Sequence, residues 1–144
     1  MTHDDSRSFA DKHPVGATID PEIQNRIGQK AANQRLSCAA AHRIARDLSI
    51  DPGQVGMTLD LMNYKIARCQ LGLFGYQPGV KPVSQAPPVE PELTAILRAA
   101  ARDQRISCRK IWEIAAAHRI PRMAVAKACD ALELKIRPCQ LGAF

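Results

Sequence analysis

Residues 39–62 read "AAAHRIARDLSIDPGQVGMTLDLM" and residues 109–132 read "RKIWEIAAAHRIPRMAVAKACDAL". Each stretch sets two short helical patterns on either side of a break. In the first, Ala41, Ile44, Ala45 and Leu48 recur at helical spacing. "SIDPG" (49–53) interrupts them, and Asp51-Pro52 can start a further helix carrying Val55, Leu59 and Met62. In the second, Ile111, Ile114 and Ala115 precede "RIPR" (119–122), and Val125, Cys129 and Leu132 follow it. Ser37 and Ser107 stand where a helix N-cap belongs.

Further out, the two stretches keep company with the same neighbours. Upstream, Asp20-Pro21-Glu22 and Glu90-Pro91-Glu92 each put an acidic residue before a proline at a first helical position. Ile23, Ile27 and Ala31 then repeat at helical spacing, as do Leu93, Leu97 and Ala101. Downstream, "YKIARC" (64–69) and "LKIRPC" (134–139) are short and partly alternating, and read as strands. Pro138 puts the second of these at an edge or makes it irregular. "CQLGLF" (69–74) and "CQLGAF" (139–144) close the two series.

The chain is therefore a duplication with an offset of 70 residues and no gap. Between 19–74 and 89–144, 19 of the 56 paired positions are identical. This gives a flexible polar tail at 1–18, module one at 19–74, a Pro- and Gly-rich linker at 75–88, and module two at 89–144. Gly72 and Gly142 supply a bend. Leu71 with Phe74, and Leu141 with Phe144, are expected to fold back and seal each small core.

Within each module a small residue is followed at fixed spacing by two aliphatic ones: Ala45, Ile50, Val55, and Ala115, Ile120, Val125. This pattern resembles the DNA-binding helix-turn-helix. With a helix before it and a strand after it, it is similar to a reduced winged helix. The resemblance covers roughly 20–72 and 90–142. Ser49 and Arg119 take the turn position that is usually Gly. The fold it implies is mainly α: two tandem three-helix helix-turn-helix (winged-helix-like) modules, each closed by a short β segment.

The resemblance further implies that the third helix of each module enters a major groove. Gln54, Met57 and Thr58 would then face the DNA in module one, and Arg122, Ala124 and Lys127 in module two. Module two is the more basic, with Arg109, Lys110, Arg119, Arg122 and Lys127 among its cations, and is the better DNA candidate. If module one does not touch DNA, it would serve as a dimerisation half or a protein-docking half. The alternative is a solvated basic face without a nucleic-acid partner.

Bulk composition agrees with a globular helical chain. It has 46% hydrophobic, 24% charged and only 4% aromatic residues. The net charge is +6 and the pI about 9.3, which permits an anionic partner. No apolar run approaches the roughly 20 residues of a membrane span, and "MTHDDSRSFADKHPVG" (1–16) has no signal-like apolar core. A cytoplasmic protein with reduced thiols is the expectation.

Cys38, Cys69, Cys108 and Cys139 belong to the repeat, and Cys129 does not. Each module thus has one cysteine at the start of its second helix and one in its closing strand, and the winged-helix resemblance implies that "RLSC" (35–38) neighbours "KIARC" (65–69) and "RISC" (105–108) neighbours "KIRPC" (135–139). Three readings stand side by side: packing as small hydrophobes, a redox pair, or a zinc or iron–sulfur site through Cys38, Cys69, Cys108 and Cys139. The cofactor stays unknown. No Cys-x-x-Cys or His-x-x-x-His pair is present, which argues against a self-contained zinc site. Cys129 matches Leu59, so burial is expected there. Gln70 and Gln140 suit either a backbone bond or a ligand.

No Gly-rich phosphate loop or catalytic motif occurs, so no enzyme is expected. The function expected is a DNA-binding transcriptional regulator, with the paired cysteines as a route to modulate it. Its rivals are a metal- or redox-binding accessory protein without DNA binding, and a protein-docking adapter.

Overall fold

The computed structural model describes His13, residues 17–76 and residues 90–144. Most of the tail at 1–18, most of the linker at 75–88, and position 89 lie outside the described residues. Within them the chain is mainly helical, with four very short strands. The order is α1 (Pro21–Lys30), β1 (Arg35–Ser37), α2 (Cys38–Leu48), α3 (Pro52–Leu61) and β2 (Lys65–Ala67), then α4 (Pro91–Ala100), β3 (Arg105–Ile106), α5 (Cys108–His118), α6 (Arg122–Ala131) and β4 (Lys135–Ile136). No helix among the described residues is long and apolar enough to cross a membrane.

The helices begin where capping chemistry places them. Asp20 accepts from the amides of Glu22 and Ile23, at 2.9 and 3.3 Å, and opens α1. Ser37 Oγ accepts from Ala40 N at 3.1 Å, and Ser107 Oγ from Lys110 N at 3.0 Å, opening α2 and α5. Asp51 accepts from Gly53 N at 2.7 Å and opens α3. Its counterpart Pro121 caps α6 with no side-chain bond.

After α1 the chain reverses through Asn33 and Gln34, both left-handed at φ 52° and 59°. Ala32 and Arg35 exchange both backbone bonds at 3.0 Å, which makes this a primed turn. The carbonyl of Gln34 then accepts from Lys65 N at 2.9 Å and sets the register of the next pairing. β1 runs parallel to β2 with Arg35, Leu36 and Ser37 opposite Lys65, Ile66 and Ala67. Asp103 and Gln104 repeat the turn at φ 51° and 60°, and β3 pairs β4 in the same sense. β4 stops at Ile136, two residues before Pro138, so the second sheet is one residue pair shorter.

Two compact units result. One holds the chain through Cys69 together with Leu141–Phe144, and the other holds Gln70–Gln140. In the first, α1, α2 and α3 pack on one another around Ile23, Ile27, Leu36, Ala45, Val55 and Leu59, all buried. His13, from the segment read as a tail, bonds Asp60 Oδ2 at 2.8 Å. In the second, α6 packs against both α4 and α5 around Leu97, Ile106, Ile111, Val125 and Cys129.

The closing segments differ from the expectation that each seals its own repeat. Leu141 is buried in the first unit, and its backbone lies on Gly56 of α3. A Cβ at Gly56 would collide with the Leu141 carbonyl oxygen. Only a glycine lets the two backbones approach so closely. Leu71, also buried, belongs to the second unit. Gly72 and Gly142 are left-handed at φ 75° and 79°, as the expected bend requires.

Candidate nucleic-acid interface

In both units a second helix ends in a left-handed residue and a third helix follows after two more residues. Ser49 (φ 55°) closes α2, and Ile50 N donates back to Ala45 O at 2.9 Å. Arg119 (φ 53°) closes α5, and Ile120 N donates to Ala115 O at 2.9 Å. This is the Schellman arrangement, made twice without glycine. Ala45 and Ala115 are buried beneath the turn, and Val55 and Val125 are buried beyond it.

The exposed faces of the two third helices differ. Thr58, expected to be exposed, is buried at 1% exposure, and its hydroxyl donates to Gln54 O at 2.9 Å. It cannot reach a groove. The reason is its place on the core face of α3, three residues from Val55 and next to Leu59, where its counterpart Ala128 is buried as well. Gln54 remains exposed and Met57 half-buried, so α3 presents no exposed cation. On α6, Arg122 is exposed and Lys127 half-buried, while Ala128, the counterpart of Thr58, is buried.

Arg122 is already engaged. Its guanidinium lies 3.5 Å from the centroid of the Trp112 ring and donates to Gln70 Oε1 at 3.2 Å. That leaves it one rim of donors for any outside partner. Arg119 is exposed at the turn itself. Arg109 and Lys110 project from the first turn of α5 and flank Glu113 at 3.7 and 3.5 Å, as exposed pairs that water screens. Of the expected residues, Arg119, Arg122 and Lys127 thus share the turn and α6. Arg109 and Lys110 lie at the opposite end of α5.

Three arginines carried no expectation of a site. Arg102 and Arg105 flank the turn before β3, and Arg137 follows β4. With Lys110 they line a hollow of about 400 Å³. The strand pairing that brings Arg137 to β3 is only two residues long, and no periodicity announces it. Two signals were available: the pairing of "RISC" with "KIRPC" that the winged-helix resemblance implies, and the mismatch of Arg102, Lys110 and Arg137 with Ala32, Ala40 and Ala67 of the first repeat.

None of the five cysteines is held in a disulfide. Cys38, Cys69, Cys108 and Cys129 are buried, and Cys139 is half-buried. In the second unit Cys108 N donates to Pro138 O at 3.1 Å, which sets Cys108 beside the start of Cys139. Gln140 Nε2 donates to Cys108 Sγ at 3.5 Å. Gln70 and Gln140 therefore bond side chains and not backbone amides. A zinc or iron–sulfur site needs about four ligands. Among the described residues no three His, Cys, Asp or Glu side chains gather closely enough to hold a metal ion. Burial pushes the Cys129 thiol up to about 12, which keeps it protonated and inert at neutral pH.

No protein-family model, curated protein or solved structure matches the chain.

Proposed function

We propose that this chain is a DNA-binding regulator built from a duplicated helix-turn-helix module, and that its second unit makes the contact. One observation carries the reading: two copies of one backbone plan differ in charge at the turn and the third helix. Ser49, Pro52 and Met57 of the first copy are Arg119, Arg122 and Lys127 in the second. The turn supports it, since both copies close the second helix with a left-handed residue over a buried alanine. In the second unit, Arg119 and Lys127 supply phosphate or base contacts, and Arg122 is held in place by Trp112. The first unit has no such face on α3 and acts as the docking or dimerisation half.

Fluorescence anisotropy with a labelled random duplex of about three helical turns, across a NaCl series, tests this. Binding is expected to weaken steeply with salt. Arg119→Ala and Lys127→Ala should each lower the affinity and flatten the log–log salt slope by about 1. Gln54→Ala should change neither. Affinity that ignores salt, or that survives both cation removals, rejects the reading.

A further inference from the structure

The hollow at the start of α5 has a chemistry of its own. Four of its lining side chains are cationic, Arg102, Arg105, Lys110 and Arg137, and none is acidic. Three separate pieces of the chain bring them together. The turn at Asp103-Gln104 holds Arg102 and Arg105 back to back through backbone bonds of 2.8 and 2.9 Å. The strand pairing places Arg137, whose N–H donates to Ile106 O at 2.9 Å. The first turn of α5 adds Lys110, the Ser107 hydroxyl and the positive end of the helix dipole.

Little in the second unit neutralises this charge. Arg102 turns one nitrogen, Nη1, to the carbonyls of Ala99 and Ala101, both at 3.1 Å, which fixes it over the end of α4. Lys110 shares Glu113 with Arg109 on the exposed surface. Arg105 and Arg137 have no ion-pair partner among the described residues. Four like charges around one concavity repel each other, and an anion seated among them reverses that cost.

The first repeat is an internal control. Its matching positions are Ala32, Arg35, Ala40 and Ala67. The same turn and the same parallel pairing form there with one cation in place of four. The fold does not need the other three.

We propose that this hollow seats a phosphate group, borne by a nucleic-acid backbone or by a small phosphorylated ligand. Arginine presents its donors in a planar fork that matches phosphate oxygens in pairs, and three arginines converge here. The hollow, of about 400 Å³, is open to solvent and has room for a phosphate together with the group that bears it. The site shares no residue with the turn and α6, so it stands or falls apart from the DNA contact proposed there.

The test is an amide NMR titration of the full chain with inorganic phosphate against chloride at matched ionic strength. Saturable shifts are expected at Ser107, Arg109, Lys110 and Arg137. They should be lost in Arg105→Ala/Arg137→Ala, weakened but not abolished in Arg105→Lys/Arg137→Lys, which keeps the charge and removes the fork, and unaffected by Arg35→Ala. Shifts that never saturate, that spread over all basic residues, or that survive the double alanine variant overturn the proposal. The source of the phosphate follows from the same variants in the duplex assay. Duplex affinity at least about tenfold weaker in the double alanine variant assigns the seat to a nucleic-acid backbone. Lost phosphate binding with unchanged duplex affinity assigns it to a small phosphorylated ligand. Phosphate binding in a chain that binds no duplex defeats the DNA reading alone. Duplex binding through Arg119 and Lys127 with no phosphate shifts defeats the phosphate seat alone.

Discussion

Cys129 and Leu59 occupy the same place in the two repeats, and both are fully buried. An aliphatic side chain there leaves no titration, whereas a thiol does. In the unfolded chain Cys129 ionises near its ordinary 9.0, and in the folded chain burial holds it protonated to about 12. The unfolded state therefore sheds its proton first as pH rises. The contribution of this residue to stability is flat below about 9, then falls toward 12 by at most about 1.4 kcal/mol per pH unit. Urea unfolding at about pH 8 and about pH 10.5 should show this loss in the natural chain. Cys129→Ala should abolish the steep part and cost roughly 1–2 kcal/mol at both pH values through the cavity it leaves. An identical pH slope in the two proteins would place the thiol in water. At neutral pH a thiol reagent should label the half-buried Cys139 before the other four, read by mass spectrometry of the modified peptide.

Helices were legible because each carries its own start and its own periodicity. Asp20, Ser37, Asp51 and Ser107 cap the helices they were expected to cap. The strands were harder, since two or three residues cannot show alternation, and β1 and β3 exist only through their partners. The turns before them escaped notice for a different reason. Asn33-Gln34 and Asp103-Gln104 lack the glycine that marks a primed turn. Thr58 was misplaced because its polar side chain reads as exposed, whereas its position lies on the buried face with Val55 and Leu59 and its hydroxyl is satisfied by Gln54 O. The charged face of the second copy was legible from residue type alone. The four-cation hollow was not, because the strand pairing that the resemblance implies does not say which side chains gather beside it. At this scale the left-handed residues that end α2 and α5 give a test. Both are non-glycine, and that conformation costs an L-residue about 1 kcal/mol. Ser49→Gly should raise stability by roughly 0.5–1 kcal/mol, a few degrees in Tm by calorimetry, after the extra freedom of glycine in the unfolded chain is deducted. Arg119→Gly should raise Tm in the same way while lowering duplex affinity. A fall in Tm in both would show that the side chains brace the turn.

The duplication hides which core each closing segment joins. "CQLGLF" and "CQLGAF" are nearly the same peptide, so alignment cannot assign one to a unit, and local rules give each its bend without giving its destination. The destination is written at one buried position where the repeats differ. Gly56 of α3 faces Ala126 of α6 across the alignment, and only the glycine admits the Leu141 backbone. Two effects of opposite sign therefore meet in Gly56→Ala. Alanine favours the helix by about 1 kcal/mol, yet its Cβ would collide with the Leu141 carbonyl and evict a buried leucine worth roughly 2–4 kcal/mol. In the full chain the second effect wins, and the variant should be less stable. In a chain lacking Leu141–Phe144 the collision is gone, and the same substitution should stabilise. The truncation alone should speed amide hydrogen exchange in α1, α2 and α3 and leave α5 and α6 unchanged, because residues 141–144 belong to the first unit. A double-mutant cycle over Gly56→Ala and the truncation then reads the coupling directly. A sign change across the cycle fixes the end of the second repeat in the core of the first unit. Strict additivity would return it to its own repeat.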